Sequence, residues 1–318
     1  METPGSRPIS RRPLLLGAAA LLAGAVPRSA RAEAAGSPSP DDFFTEQELE
    51  VPGERLARRC LLLVPRGART VRRLVVLFHG LGETTSEAVG IRAWADRYGL
   101  AAAAARLRAP PVERTLSGVP LLTDERLEVL NRELRRRPFQ GLGVACPYTP
   151  NVFRQPSTPV ALDHYAAWVA DALLPAVAKV APFTAHAAVG VDGVSLGGYV
   201  SLEVFLRRPE AFGAVGAVQA AIGESQVDAY AARFAEAFER TGARPLRIAT
   251  SAWDPEHKTS ERLVSRLRAR NVTATLEVSP GGHDQRFLRE VGSLELLHYY
   301  DRTLRDARPR DASGGRPR

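Results

Sequence analysis

From Leu142 to Leu304 the chain repeats one unit, a short apolar run followed by a turn and an amphipathic stretch of helical period. Strands are expected at Leu142–Cys146, Ala187–Asp192, Ala214–Gln219, Leu246–Thr250 and Val272–Val278, and helices at Leu162–Val180, Gly198–Arg207, Tyr230–Arg240, Glu261–Arg270 and Arg286–Leu304. Strands joined through helices have to run parallel, since a right-handed crossover returns the chain to the same end of the sheet. This alternation fixes an α/β class with a mostly parallel central sheet covered by helices on both faces. Upstream, Cys60–Val64 and Val71–Phe78 flank Pro65-Arg66-Gly67-Ala68-Arg69 and read as an antiparallel hairpin. Its second arm is apolar throughout Leu74–Phe78, as a strand buried on both faces must be. Glu87–Tyr98 reads as a helix and Leu100–Ala105 as the next strand, although its five alanines favour a helix equally. Residues 110–140 interrupt the rhythm with a charged helix over Thr123–Arg137, expected to be an insertion folded over one edge of the core.

The ends read differently. Arg7, Arg11 and Arg12 precede an apolar run from Leu14 to Val26, and Ala30-Arg31-Ala32 offers the small-x-small pattern of a cleavage site. Residues 1–32 are therefore an expected export signal, and Ser10-Arg11-Arg12-Pro13-Leu14-Leu15 resembles the twin-arginine type. The run is too short for a stable membrane span. Signal peptidase and the export machinery are the partners this implies, with a periplasmic or secreted destination. Residues 33–45 read as a flexible leader, 46–304 as one domain and 305–318 as a tail. The formal charge is +8, and five arginines against one glutamate within residues 1–32 carry half of it. With the signal removed, charge gives no reason to expect a nucleic-acid partner. An exported chain meets an oxidising compartment, so Cys60 and Cys146 either pair as a disulfide or lie buried as thiols.

The chemistry should lie at Val191-Asp192-Gly193-Val194-Ser195-Leu196-Gly197-Gly198-Tyr199, a G-x-S-x-G set between a strand and a helix. A sharp turn there lifts the Ser195 hydroxyl clear of the sheet, and only small residues at 193 and 197 let the chain bend so tightly. The Leu196 amide then lies at a positive helix end, where it can hold an oxyanion. His283 is the expected base because it follows a strand and a Ser-Pro-Gly-Gly turn, in the class of loop where α/β sites assemble. His164, His186, His257 and His298 read as solvated or structural, and His79 as a residue shaping the loop after its strand. Asp254 is the expected acid, with Glu256 as a rival and Asp284 read as a surface residue or a helix N-cap. The loop Phe78-His79-Gly80-Leu81-Gly82-Glu83 should supply the second oxyanion donor through the Leu81 amide. Tyr148, Phe153 and Trp253 are candidates to line a substrate pocket.

These segments resemble the α/β-hydrolase superfamily, and within it the esterase group that includes esterase D-like, feruloyl and acetylxylan esterase-like and polyhydroxyalkanoate depolymerase-like proteins. The resemblance runs from about residue 60 to 302 and rests on Val76-Leu77-Phe78-His79-Gly80, Ser195-Leu196-Gly197-Gly198-Tyr199, Arg208-Pro209-Glu210-Ala211-Phe212-Gly213-Ala214-Val215 and Glu277-Val278-Ser279-Pro280-Gly281-Gly282-His283-Asp284. It implies Ser195, Asp254 and His283 as a triad. Asp192 departs from it, standing where the group has a small or apolar residue. The implied activity is hydrolysis of a small or soluble ester through an acyl-enzyme, an acylated carbohydrate being one candidate. The alternatives are acyl transfer by the same triad and a non-catalytic binding protein of the same fold. No metal-ligand spacing and no dinucleotide fingerprint is present, so no cofactor is expected.

Overall fold

The computed structural model describes residues 43–53, 55–68, 71–115, 120–182 and 188–305. The expected export signal, His186 and all but the first residue of the expected tail lie outside them. One sheet holds eight strands: β1 (Phe44–Glu50), β2 (Arg59–Pro65), β3 (Leu74–Phe78), β4 (Gly143–Pro147), β5 (Val189–Gly193), β6 (Ala214–Val218), β7 (Leu246–Ser251) and β8 (Thr275–Ser279). Their spatial order is β1-β2-β4-β3-β5-β6-β7-β8. Strands β3 to β8 are parallel, and β1 and β2 join antiparallel at one edge. The helices are α1 (Glu87–Ile91), α2 (Leu100–Arg108), α3 (Asp124–Arg136), α4 (Thr158–Trp168), α5 (Leu174–Val180), α6 (Leu196–Arg207), α7 (Val227–Thr241), α8 (His257–Arg268), α9 (Gln285–Phe287) and α10 (Ser293–Thr303). This is the α/β-hydrolase architecture.

Alternation along the strands divides the core. Leu74, Val76, Phe78, Val189 and Val191 pack with residues of α4 to α8, whereas Val75, Leu77 and Val144 pack with α2, α3 and α10. The inner order also places a topological switch between β3 and β5, since the chain leaves β3 for β4 on one side and then crosses to β5 on the other. At such a switch the connections diverge and leave a crevice outside the carboxyl ends of the strands.

Three expectations need revision, and the open choice between a disulfide and buried thiols closes on the thiols. The hairpin does not form: β4 lies between β2 and β3, pairing Leu61 with Cys146 and Val75 with Val144. A strand buried along its whole length, as β3 is, takes a parallel neighbour on each side. Leu100–Ala105 is helical, the start of α2, because alanine propensity combines with an i, i+3, i+4, i+7 set of buried residues at Leu100, Ala103, Ala104 and Leu107. Strand β1 was not expected, and it starts inside the segment read as a leader. It is an edge strand with only Phe44 fully buried, so it carries too little apolar pattern to announce itself. Cys60 and Cys146 are both free and buried. They sit on neighbouring strands one register position out of line and therefore belong to opposite faces of the sheet, which excludes a bond between them in this fold. The insertion does fold onto the body: Leu130 and Leu134 of α3 are buried, Arg126 pairs with Glu295 of α10, and Asn131 brackets the backbone of Val112.

Candidate active site

The turn from β5 into α6 is strained and locked. Ser195 has φ 58° and ψ −117°, a region that a side chain adopts only when its surroundings impose it. The surroundings here are backbone. A Cβ on Gly193 would lie 2.3 Å from the Gly197 carbonyl oxygen, and one on Gly197 would lie 2.3 Å from that of Phe78. Neither position tolerates anything but glycine, which gives the steric reason for the spacing of the motif. The Ser195 amide donates to Val218 O at 2.9 Å and its carbonyl accepts from Ala221 at 3.1 Å, so β6 holds the turn as well.

Asp254 and His283 meet. His283 Nδ1 lies 3.0 Å from Asp254 Oδ1, and the carboxylate also accepts from Thr250 Oγ1 at 2.6 Å and from the Glu256 amide at 3.2 Å. Burial pushes the Asp254 pKa up, but the donors His283, Thr250 and Glu256 outweigh it and hold the carboxyl below its usual range. Glu256 thus enters only through its backbone. Asp284 caps α9, accepting from Phe287 N at 2.8 Å.

The histidine loop is tied to the serine turn by a residue the sequence did not single out. Gln219, buried at the end of β6 with φ 48°, donates through Nε2 to Ser251 Oγ at 2.7 Å and to Gly282 O at 2.9 Å. Its neighbour Val218 accepts the Ser195 amide, so Ser195 and His283 hang from one strand end. Among the described residues neither Ser195 Oγ nor His283 Nε2 is engaged in a hydrogen bond. Only long-range geometry reveals Gln219, since it lies 63 residues before Gly282.

The loop after β3 lies against this turn. A Cβ on Gly80 would be 3.8 Å from Ser195 Cβ. The amides of Leu81 and Leu196 have no backbone acceptor among the described residues, leaving both able to bind an anion. His79 is buried with both ring nitrogens occupied: Nδ1 donates to Gly80 O at 2.9 Å and Nε2 accepts from Thr149 N at 2.8 Å. Burial lowers its pKa to about 4, so it stays neutral and joins the end of β3 to the loop after β4. Of the three pocket candidates, Phe153 and Trp253 are exposed by 54% and 63%, with the Phe153 ring tilted against that of Tyr199 at 5.1 Å. Tyr148 is half-buried and bonds to Thr84 O at 2.9 Å.

The sheet order and the serine turn at its switch point give the chain the α/β-hydrolase fold. Residues 153–295 match the family model described as "Putative esterase", a stretch that spans Ser195, Asp254 and His283. Among solved structures the chain is similar to S-formylglutathione hydrolase (FrmB) from Staphylococcus aureus at 14% identity and TM-score 0.52, covering 82% of this chain and 97% of that one. It is similar to the feruloyl esterase module from Clostridium thermocellum complexed with sinapinate at 15% and 0.57, covering 84% and 91%. A third is the ferulic acid esterase from Anaeromyces mucronatus in complex with ferulic acid, at 14% and 0.52, covering 82% and 91%. At such identities the likeness is one of fold. No curated protein matches the sequence.

Proposed function

We propose that this chain is an exported serine carboxylic-ester hydrolase that acts through an acyl-enzyme on a small or soluble ester, with acylated carbohydrates among its substrates. The observation that carries the reading is the pairing of a strained, glycine-flanked serine with an imidazole whose Nδ1 is held by a buried carboxylate, both tied to the end of β6.

In the proposed cycle Ser195 Oγ attacks the ester carbonyl carbon as its proton passes to His283 Nε2. Asp254 holds the ring in the tautomer that keeps Nε2 available and stabilises the imidazolium. The Leu81 and Leu196 amides take the negative charge on the carbonyl oxygen. His283 returns the proton to the departing alkoxide, and the alcohol leaves. Water, deprotonated at the same nitrogen, then releases the acid.

The match of residues 153–295 to an esterase family supports the reaction class. Exposed Leu81, Phe153 and Trp253, which follow β3, β4 and β7, support an apolar acyl group. The relatives bound to ferulic acid and sinapinate are consistent with such a group. Export rests on the arginines and apolar run of residues 7–26, and no described helix is long and apolar enough to cross a membrane.

The test is hydrolysis of short- and long-chain p-nitrophenyl esters by the chain without its first 32 residues, together with intact-mass detection of a fluorophosphonate adduct. Ser195→Ala should lower the rate by at least ~10⁴-fold and abolish the adduct. Unchanged hydrolysis in that variant would overturn the assignment.

A further inference from the structure

We propose that Tyr98 and Glu83 form a buried clasp that aims the oxyanion loop, turning the Gly80 amide away from the reacting carbonyl and leaving the Leu81 amide as the loop's donor. The inference rests on the hydrolase reading and assigns two positioning residues to it.

The geometry is specific. The Gly80 amide donates to Tyr98 Oη at 3.2 Å, and Tyr98 Oη donates in turn to Glu83 Oε2. Both side chains are buried, and Arg97 Nη1 approaches the other Glu83 oxygen at 3.4 Å. A phenol has one proton. Since Glu83 takes that proton, only the lone pairs of Tyr98 remain to face Gly80, and the direction of the Gly80 N–H is fixed. Burial raises the Tyr98 pKa above its ordinary value, with the neighbouring Glu83 adding to the effect, so the proton stays on the phenol.

The clasp acts where the loop is nearest the nucleophile. The Cβ that would lie 3.8 Å from Ser195 Cβ would also lie 3.2 Å from Tyr98 Oη and 3.4 Å from Glu83 Oε2. Tyr98 is fixed independently: its ring meets Trp94 edge to face at 5.1 Å, and its carbonyl accepts from Ser293 Oγ of α10 at 2.7 Å. Rotation of the His79–Gly80 peptide would cost the Gly80 amide its acceptor in Tyr98, and rotation of the Gly80–Leu81 peptide would cost the Gly80 carbonyl its donor in His79, so the loop has one favoured orientation. That orientation is present before substrate arrives, as an oxyanion site requires. The charge of Glu83 also matters. A bare buried carboxylate beside this loop would oppose the developing oxyanion, whereas one bonded to Tyr98 and paired with Arg97 has its field partly spent.

The experiment compares Tyr98→Phe and Glu83→Gln with the wild type. Rates are normalised to active sites titrated by a fluorophosphonate, which removes any loss of folded protein, and the affinity of an alkyl trifluoromethyl ketone is measured in parallel. Tyr98→Phe should lower kcat about 10- to 100-fold, the scale of a displaced oxyanion donor, with KM changed by less than about threefold. It should weaken the ketone by a similar factor, because the ketone's hemiketal needs the same donor. Glu83→Gln keeps an acceptor for the Tyr98 proton and should stay within about threefold of wild type. Wild-type kcat per titrated site in Tyr98→Phe would overturn the inference, as would a rise confined to KM or a Glu83→Gln variant as impaired as Tyr98→Phe. Failure of the wild type itself to label at Ser195 would overturn the hydrolase reading and this inference with it. Labelling and turnover in the wild type beside an unaffected Tyr98→Phe would overturn this inference alone.

Discussion

Two buried aspartates, Asp254 after β7 and Asp192 before the serine turn, are pushed in opposite directions by their environments. Asp254, after β7, receives hydrogen bonds from His283, Thr250 and Glu256, and its carboxyl is held below the usual range. Asp192, the second-last residue of β5, receives one hydrogen bond, from the Gly193 amide at 2.7 Å, and the nearest atom of Arg247 stands 3.6 Å from Oδ2. Burial pushes Asp192 up to about 7 against the pull of Arg247, the Gly193 amide and the Tyr300 hydroxyl beside it. Both carboxyls are out of solvent, but Asp192 lies deeper among protein atoms and has fewer donors. Shallower burial with three donors keeps Asp254 charged, whereas deeper burial with one short hydrogen bond and a guanidinium beyond bonding distance does not do so for Asp192. The first environment suits a group that must stay negative beside an imidazolium, and the second suits a structural group beneath the proposed nucleophile.

The largest test of this contrast is at Asp254. Asp254→Asn should lower kcat by ~10⁴-fold, since the amide no longer enforces the tautomer of His283, while leaving the melting temperature little changed. Glu256→Gln should stay within about threefold of wild type, because only its amide reaches Asp254. Equal losses in the two variants would erase the distinction between them. Next in size is Arg247, which lies beside Asp192 across the side-chain-free Gly216 and pairs with Glu277 at 2.7 Å. Arg247→Met removes the counter-charge of a fully buried side chain and should cost roughly 3–5 kcal/mol in urea unfolding, with part recovered in the double variant Asp192→Asn/Arg247→Met. A loss below about 1 kcal/mol would show that Asp192 has no need of Arg247.

The same contrast marks how far the sequence could be read. The serine turn was legible because its determinants are local: an apolar strand, two glycines whose absent side chains make room for backbone, and a helix directly after them. Strands β5 to β8 were legible for the same reason, as runs of apolar residues spaced by helices. The failures share a cause in non-local pairing. The stretch from Cys60 to Phe78 has the pattern of a hairpin, and only the arrival of β4, more than sixty residues later, displaces that pairing. Asp254 and His283 were read from chain order and loop position, with Glu256 left open, because the donors that favour Asp254 come from Thr250, a backbone amide and a loop 29 residues on. Gln219, Tyr98 and Glu83 carried no signal at all, since a lone glutamine or tyrosine has meaning only beside the backbone it bonds. Asp192 was visible as an oddity, but its surroundings needed the register of three more strands.

The smallest expected effect is the pH dependence that Asp192 alone should impose on stability. Its folded pKa of about 7 exceeds the 3.8 of a free carboxyl, so between these values the folded state binds more protons than the unfolded one. Stability from this group is therefore greatest in acid, declines as pH rises from about 4 to about 7, and is flat beyond. Asp254 has the opposite sign, since its stabilisation is complete above the unfolded value and is lost only as pH falls below it, so it adds no slope between pH 5 and 8. His79 and His298, kept neutral by burial with pKa values lowered to about 4 and about 3, make stability rise over pH 5 to 6.5, so the raw curve mixes both trends. The diagnostic quantity is the melting temperature of Asp192→Asn minus that of the wild type, in which the histidines cancel. The ionised groups around Asp192 are Arg247 and Glu277, and Tyr299 and Tyr300 cover it from α10. Arg247 and both tyrosines do not titrate in that window, being shifted upward, away from it. The difference should grow in favour of Asp192→Asn from pH 5 to 7 and level off by pH 8. Parallel curves across that range would mean that the Asp192 carboxyl beneath Ser195 is already ionised at pH 5, and that its few donors serve it as well as three serve Asp254.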